Sequence, residues 1–336
     1  LDVPQIELKL FENRDLKPSV SVLIGIRNQM DSTSYAKLSS DNRVVLIAAY
    51  KRDQLDKKLF DFRDKAIFTF EPALARELEI KTRGTRFFLE KQEPGWFLKQ
   101  PVFSLAADTV VSTILSAASG LEAIAFLKPA SAASLQAFGF DRPLLELKLK
   151  TGNETRVLKV VRQDDRFFAH TPGFSEISEI DKKFTDHFDK KVRDFREPKI
   201  ARFFAFDVSE IIYKTRDLDC HFQRNPEHRW IRVKPAGSGE LDGDRINDLL
   251  TALENLEARE FLDHPSGKEI FNYSLELKFG EQTQAGKSTD IGLWISDLTG
   301  DSLLVRNRNL PYLFKVSKAF IDRLPRKLED FIKKNE

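Results

Sequence analysis

The 336-residue sequence is poor in the residues that most often declare a chemistry. Its single cysteine, Cys220, excludes an intramolecular disulfide and any thiolate metal cluster, because each needs a second sulfur. That one thiol is compatible with a reduced cytosol and with a bacterial periplasm. The five histidines are His170, His187, His221, His228 and His264, and no pair has the i, i+4 or short-loop spacing of a metal site. Net charge is nearly absent, since 54 Lys plus Arg against 52 Asp plus Glu leave +2. Basic residues alternate with acids throughout, so no nucleic-acid groove is expected. Long hydrophobic runs are missing too. The nearest approach, residues 102–127, carries only Asp108 and Glu122 as charges, but its many Ser, Thr and Ala residues and Gly120 make it a poor span. No secretory leader is visible, and a start at Leu1 rather than Met fits a leader or anchor removed ahead of it.

What is present is 41% hydrophobic residues, with 28 Phe against five Tyr and three Trp. That is enough apolar material for a packed core. It is also periodic on a long scale. Leu121-Glu122-Ala123 with Phe126-Leu127 recurs 135 residues later as Leu256-Glu257-Ala258 with Phe261-Leu262. Trp96 and Asp108 recur 134 residues later as Trp230 and Asp242, and Phe62-Arg63-Asp64 recurs after 133 as Phe195-Arg196-Glu197. A second pattern occurs three times, opening at Glu7-Leu8-Lys9-Leu10, Glu146-Leu147-Lys148-Leu149 and Glu276-Leu277-Lys278-Phe279. It closes at Asp61-Phe62, Asp194-Phe195 and Asp330-Phe331. The chain therefore reads as five alternating modules: strand modules at 1–65, 138–198 and 266–336, and tryptophan modules at 66–137 and 199–265.

Within a strand module, Leu145, Leu147 and Leu149 alternate with Glu146 and Lys148, the period of a strand with one buried face. Residues 157–161 and 166–170 read as the next strands. A helix is expected from about Ser178, with Ile180, Phe184, Phe188 and Val192 at i, i+4. Leu55, Leu59 and Phe62 end the first copy likewise, and Val316, Phe320, Leu324 and Leu328 end the third, kinked at Pro325. Each tryptophan module adds strands near 78–81, 86–91 and 96–99 and a helix over 108–127. The expected class is α+β, a tandem repeat of antiparallel β-meander plus helix units forming an elongated array. Because residues 242–260, the counterpart of 102–127, are studded with charge, both are expected to be soluble-type helices, not spans.

Motifs that suggest chemistry fail on context. Gly286-Lys287-Ser288 lacks the first glycine of a phosphate loop and precedes an alternating strand pattern, Ile291-Gly292-Leu293-Trp294-Ile295, not a helix. Gly237, Gly239 and Gly243 have the wrong spacing for a dinucleotide fingerprint and read as a lead into a helix capped near Asp242 or Asp244. Trp96 and Trp230 read as packing anchors shared by two modules. Cys220 and His221 are neighbours in a strand, so they face opposite ways and make no nucleophilic pair. No Gly-x-Ser-x-Gly elbow occurs. Abundant carboxylates read as solvated faces. No catalytic residue, cofactor or metal is expected.

One asymmetry survives. The helices over 108–127 and 243–262 share an apolar stripe, but where the second carries Asn247, Asp248, Glu254, Arg259 and Glu260, the first carries Ser112, Thr113, Ser119, Ile124 and Ala125. Small neutral residues permit close approach by another element, and the Ala/Ser-rich run at 130–137 continues the trend. Two readings stay open: burial against a neighbouring module, or docking of a protein partner on Ser112, Thr113, Ser116, Ser119, Gly120 and Ile124.

The pattern resembles a bacterial family known as domain of unknown function 4340. The elements that carry the resemblance are Phe138-Gly139-Phe140-Asp141-Arg142-Pro143 before Leu145-Glu146-Leu147-Lys148, then Asp194-Phe195-Arg196, Trp230 and the Leu-Glu-Ala…Phe-Leu ends. The resemblance implies a membrane-anchored, extracytoplasmic (periplasmic) protein accompanying ABC transporters of gliding-motility type, with no catalytic residues. The expectation is a non-enzymatic accessory or scaffold subunit of a membrane transport complex, its partners being transporter subunits. The alternative is a ligand-binding or hydrolytic module with its site between repeats.

Overall fold

A computed structural model describes residues 1, 3–12, 16–237, 239–280, 290–298 and 300–333. The chain divides into two compact units, Leu1–Ala66 and Ile67–Glu336. The first holds strands β1 (Ile6–Leu10), β2 (Val20–Arg27), β3 (Thr33–Leu38) and β4 (Val45–Ala48), helix α1 (Ala49–Leu55), and a 3-10 turn at Leu59–Phe62. Its strands pair antiparallel in sequence order.

The second unit begins with β5 (Ala75–Thr82), β6 (Arg86–Gln92), β7 (Gly95–Gln100), β8 (Ser104–Leu105), α2 (Asp108–Ser119), β9 (Ala125–Pro129) and α3 (Ala132–Phe138). There follow β10 (Leu145–Thr151), β11 (Glu154–Gln163), β12 (Arg166–His170), β13 (Glu176–Ile180), α4 (Lys183–Asp186) and α5 (Val192–Phe195). It continues with β14 (Val208–Lys214), β15 (Asp219–Arg224), β16 (Trp230–Lys234), α6 (Gly243–Glu254) and β17 (Glu260–Leu262). It ends with β18 (Tyr273–Phe279), β19 (Ile291–Ile295), β20 (Ser302–Asn307) and β21 (Leu313–Ser317). Among the described residues these strands form two antiparallel sheets, of order β8-β7-β6-β5-β10-β11-β12-β13-β9 and β16-β15-β14-β18-β19-β20-β21-β17.

In each sheet the first strand of a tryptophan module joins the first strand of the next strand module. Leu147 lies opposite Ile80 and Leu277 opposite Ile211. The last strand of the tryptophan module then closes the far edge, β9 on β13 and β17 on β21. Strand alternation does what the period of two predicts: Leu145, Leu147 and Leu149 are buried. Two cores result, one from Ile67 to Phe195 under α2 and one from Ile200 to Phe331 under α6. Trp96 and Trp230 are buried anchors in them. Asp242 caps α6, accepting from the Arg245 N–H.

Four expected helices are corrected. Residues 176–180 are strand β13, whose backbone is satisfied on both sides by β12 and β9. Phe184, Phe188 and Phe195 do enter the core, but from the short turns α4 and α5 and their flanks. Asp181 and Asp194 accept the N–H groups of Lys183 and Lys191, which favours short turns over a continuous helix. In the third copy Val316 belongs to β21, and Phe320 and Leu328 to separate 3-10 turns flanking Pro325. The helix expected over 108–127 stops at Ser119, with Gly120 at its C-cap, so Ile124 and Ala125 belong to the approach to β9 and to β9 itself. Likewise α1 ends at Leu55, before Leu59 and Phe62. The Gly286-Lys287-Ser288 motif lies outside the described residues.

Candidate functional site

Helix α2 is tied down at its start. Asp108 lies in its first turn, where a carboxylate complements the helix dipole. One carboxylate oxygen accepts the backbone N–H of Trp96 at 3.3 Å, and the other accepts Arg202 Nη1 at 2.7 Å. Val111, Ile114, Leu115 and Ala118 then form the buried stripe. The opposite face is open to solvent: Ser112, Thr113, Ser116 and Gly120 are exposed, and Ser119 is half-buried. The hydroxyl of Thr113 donates to the Thr109 carbonyl at 2.8 Å and that of Ser119 to the Ser116 carbonyl at 3.2 Å. These groups are satisfied by the helix itself and project no charge. Ile124 is exposed but off the helix, its N–H donating to the Glu179 carbonyl at 2.8 Å. The structure thus brings five of the six sequence-chosen residues onto α2 and its cap and separates the sixth.

The same positions on α6 are not simply a wet face. Asn247 Oδ1 accepts the Trp230 indole N–H at 2.9 Å and Arg224 Nη2 at 3.1 Å, and the Arg224 guanidinium stacks 4.4 Å from the Trp230 ring centre. Glu254 accepts the Ala205 N–H at 3.0 Å. Arg259 and Glu260 lie at and in β17, where Glu260 pairs with Lys315. Part of the charge difference between the two helices is therefore structural.

Sequence reasoning missed a polar node joining the two sheets. Arg196, at the end of α5, is buried. Its Nη1 donates to Asp263 at 3.0 Å and its Nε to Ser104 Oγ at 3.2 Å. Its guanidinium lies 3.8 Å from the Phe261 ring centre and 4.8 Å from that of Tyr312. The Tyr312 hydroxyl accepts the Leu105 N–H at 3.2 Å, and burial pushes that phenol above its usual range. The recurrence of Phe-Arg at 62, 195 and Phe-Ile at 331 marks the place but not the partner.

Two clefts among the described residues show mixed charge without a histidine. One of about 440 Å³ between α6 and the C-terminal turns is lined by Arg245, Asp248, Arg323, Arg326, Asp330 and neighbours, with no histidine. Another of about 500 Å³ has Glu154 and Arg156 as its only charged lining residues. A histidine meets a carboxylate where His221 Nε2 lies 2.6 Å from Glu210, on the sheet surface. Glu210 also accepts Lys278 Nζ at 2.8 Å. Partial burial pushes the Glu210 carboxyl up, but Lys278 and His221 together hold it below the usual range. Cys220 is buried on the other face of β15, and burial raises its thiol. Among the described residues no group of three His, Cys, Asp or Glu side chains is placed to hold a metal ion. No helix among them is long and apolar enough to cross a membrane.

Among curated proteins nothing matches the chain. Of solved structures, it is similar to a DNA polymerase sliding clamp from Pseudomonas aeruginosa with ligand, at 10% identity, covering 90% of this chain and 77% of that one, with a TM-score of 0.15. It is also similar to the DNA polymerase III subunit beta from Pseudomonas aeruginosa, at 9% identity, covering 91% and 78%, with a TM-score of 0.14. At such scores neither likeness carries an argument. A family model does match, over residues 1–137 and again over 96–276, and the chain belongs to that family, described as domain of unknown function (DUF4340).

Proposed function

We propose that this protein is a non-catalytic accessory or scaffold subunit of a bacterial membrane complex, acting on the extracytoplasmic side. Its strand and tryptophan modules are read as a tandem repeat forming an elongated array that offers lateral surfaces to partners. The complex we assign is an ABC transporter of gliding-motility type, an assignment that rests on the family resemblance. The observation that carries the scaffold reading is the solvent-exposed, uncharged face of α2. Its small side chains allow a partner's backbone to approach, and the hydroxyls of Thr113 and Ser119 already have acceptors within the helix.

The test is Ser116→Glu combined with Gly120→Glu, followed by purification from membranes with native partners. Loss of co-purification by a variant whose thermal melt stays cooperative supports the reading. Normal assembly of that variant ends it.

A ligand-binding role between modules is favoured by one feature, the cleft between α6 and the turns flanking Pro325, whose walls carry Arg245, Arg323 and Arg326 beside Asp248, Asp322 and Asp330. Titration with inorganic phosphate, read by calorimetry, tests it. A saturable heat lost in Arg323→Ala supports this second reading, and no heat rejects it.

A further inference from the structure

The linkers that lead from each tryptophan module into the strand module after it differ in length. Leu127 and Leu147 are 20 positions apart, but their counterparts Leu262 and Leu277 are only 15 apart. The longer linker has room for α3, capped at Ser131 and ended by Gly139 in the left-handed region at φ 83°. Leu135 and Phe138 of that helix pack, with Phe140, on Val161, Phe168 and Ile177. Val161 and Phe168 alternate with Val160 and Phe167 of the main core, so this cluster covers the opposite face of the sheet. Phe138 meets Phe168 edge-on, with ring centres 5.1 Å apart. The shorter linker, residues 263–272, forms no helix.

The matching face of the second sheet is covered less completely. Val161 stands opposite Phe168, and at the same places Trp294 stands opposite Arg306. Pro265, Glu269 and Phe271 of the short linker, with Arg306, Pro311 and Leu313, line a cavity of about 130 Å³. An apolar cavity of about 150 Å³ accepts benzene, so this one suits an isobutyl-sized group. Two of its lining residues are charged. Arg306 is exposed, and its guanidinium lies 5.8 Å from the Trp294 ring centre. Among the described residues no carboxylate pairs with it. Glu269 accepts the Ser266 N–H at 2.6 Å and the Ser266 hydroxyl at 2.8 Å, and the hydroxyl bond above all holds its carboxyl below the usual range. It is ionised at neutral pH.

We propose that this cavity binds a free α-amino acid with a branched apolar side chain. The side chain occupies space that the α3 residues fill on the first sheet, between Phe271, Pro311 and Leu313. Arg306 takes the carboxylate on its forked donors, and Glu269 takes the ammonium group. The two charges decide the class of ligand. A simple carboxylate meets repulsion from Glu269, and a simple amine meets it from Arg306. A zwitterion is matched by both. An amino acid inside a peptide chain has lost at least one of the two groups. The cavity shares no residue with the α2 face or with the arginine-bearing cleft beside Pro325, so it stands or falls apart from both functional readings.

Calorimetric titration of the whole chain with L-leucine tests it. Two analogues serve as paired probes: leucinamide, which lacks the carboxylate, and 4-methylpentanoate, which lacks the ammonium group. The expected result is a saturable heat with L-leucine and binding of each analogue weaker by roughly tenfold or more, as for the loss of a charge-assisted hydrogen bond. Arg306→Gln, a change at an exposed position, is expected to keep the parental melt and to weaken L-leucine by a similar factor. The absence of a saturable heat with L-leucine overturns the proposal. So does an analogue that binds as tightly as L-leucine, or an Arg306→Gln chain that binds it undiminished. The analogue comparison uses the unaltered chain and decides the matter even if the variant fails to fold.

Discussion

The guanidinium of Arg196 lies 3.8 Å from the ring centre of Phe261, so the end of one sheet's core is held against the last strand added to the next. The same guanidinium pairs with Asp263, and the bridge from Arg196 to Ala106 continues the antiparallel contact on its own side. Removing the arginine leaves a partly buried carboxylate without its cation. Arg196→Ala is expected to cost about 3 kcal/mol, toward the low end for such pairs because Asp263 keeps some access to water. Arg196→Lys recovers only part, since an ammonium neither stacks nor forks. Urea unfolding of the two variants and of Asp263→Asn, combined in a double-mutant cycle, reads the coupling.

The three closing phenylalanines give a graded prediction. Phe195→Ala and Phe331→Ala each open a cavity in a packed aromatic cluster and are expected to cost about 3–5 kcal/mol. In the isolated chain Phe62→Ala is expected to stay within about 0.5 kcal/mol of the parent, as for an exposed site. Chemical denaturation of the three side by side checks the order.

Acid stability reports a half-buried histidine. His170 Nε2 lies 3.3 Å from the Phe174 carbonyl, and Phe140 packs edge-on against its ring. Burial holds its imidazole below the ordinary value, the nearby Lys159 charge adds to that, and the Phe174 carbonyl opposes it. The unfolded chain then takes up a proton before the folded one does. Stability is full above about pH 6.5 and falls as pH drops from there toward the folded-state value, below which this contribution levels off. His170→Gln is expected to flatten that part of the profile. Proton NMR titration of the ring and thermal melts between pH 7 and 5 check the sign.

Local periodicity carried the strands better than the helices. The Leu145, Leu147, Leu149 alternation marked a strand, and the Trp96 and Trp230 recurrence marked two buried anchors. The joining of β5 to β10 was not legible, because Ile80 and Leu147 meet across a gap that no local pattern encodes. The phenylalanines at 184, 188 and 195 misled in the other direction. Their spacing fits a helical face, but a chain broken into single turns by Asp181 and Asp194 buries the same rings. On the candidate surface the loss of charge between the two helices was visible, but the reason for one of the lost groups was not. Asn247 reads as solvent-facing until the Trp230 indole is seen to donate to it.

That contact separates structure from surface within one aligned pair. Asn247 holds Trp230 and Arg224 together, so Asn247→Ala strands an indole N–H and part of a guanidinium at the core's rim. The expected cost is about 1–2 kcal/mol, that of a buried donor losing its acceptor. Ser112, at the matching position of α2, is exposed, and Ser112→Ala is expected to change stability by no more than about 0.5 kcal/mol. If the α2 face binds a partner through close backbone approach, bulk there acts differently: Ser112→Gln leaves the melt unchanged and weakens co-purification. Measuring both variants for stability and for complex recovery decides whether the neutral face was lost packing or a surface kept clear. Equal effects on the two read-outs would favour packing, and an effect on recovery alone favours docking.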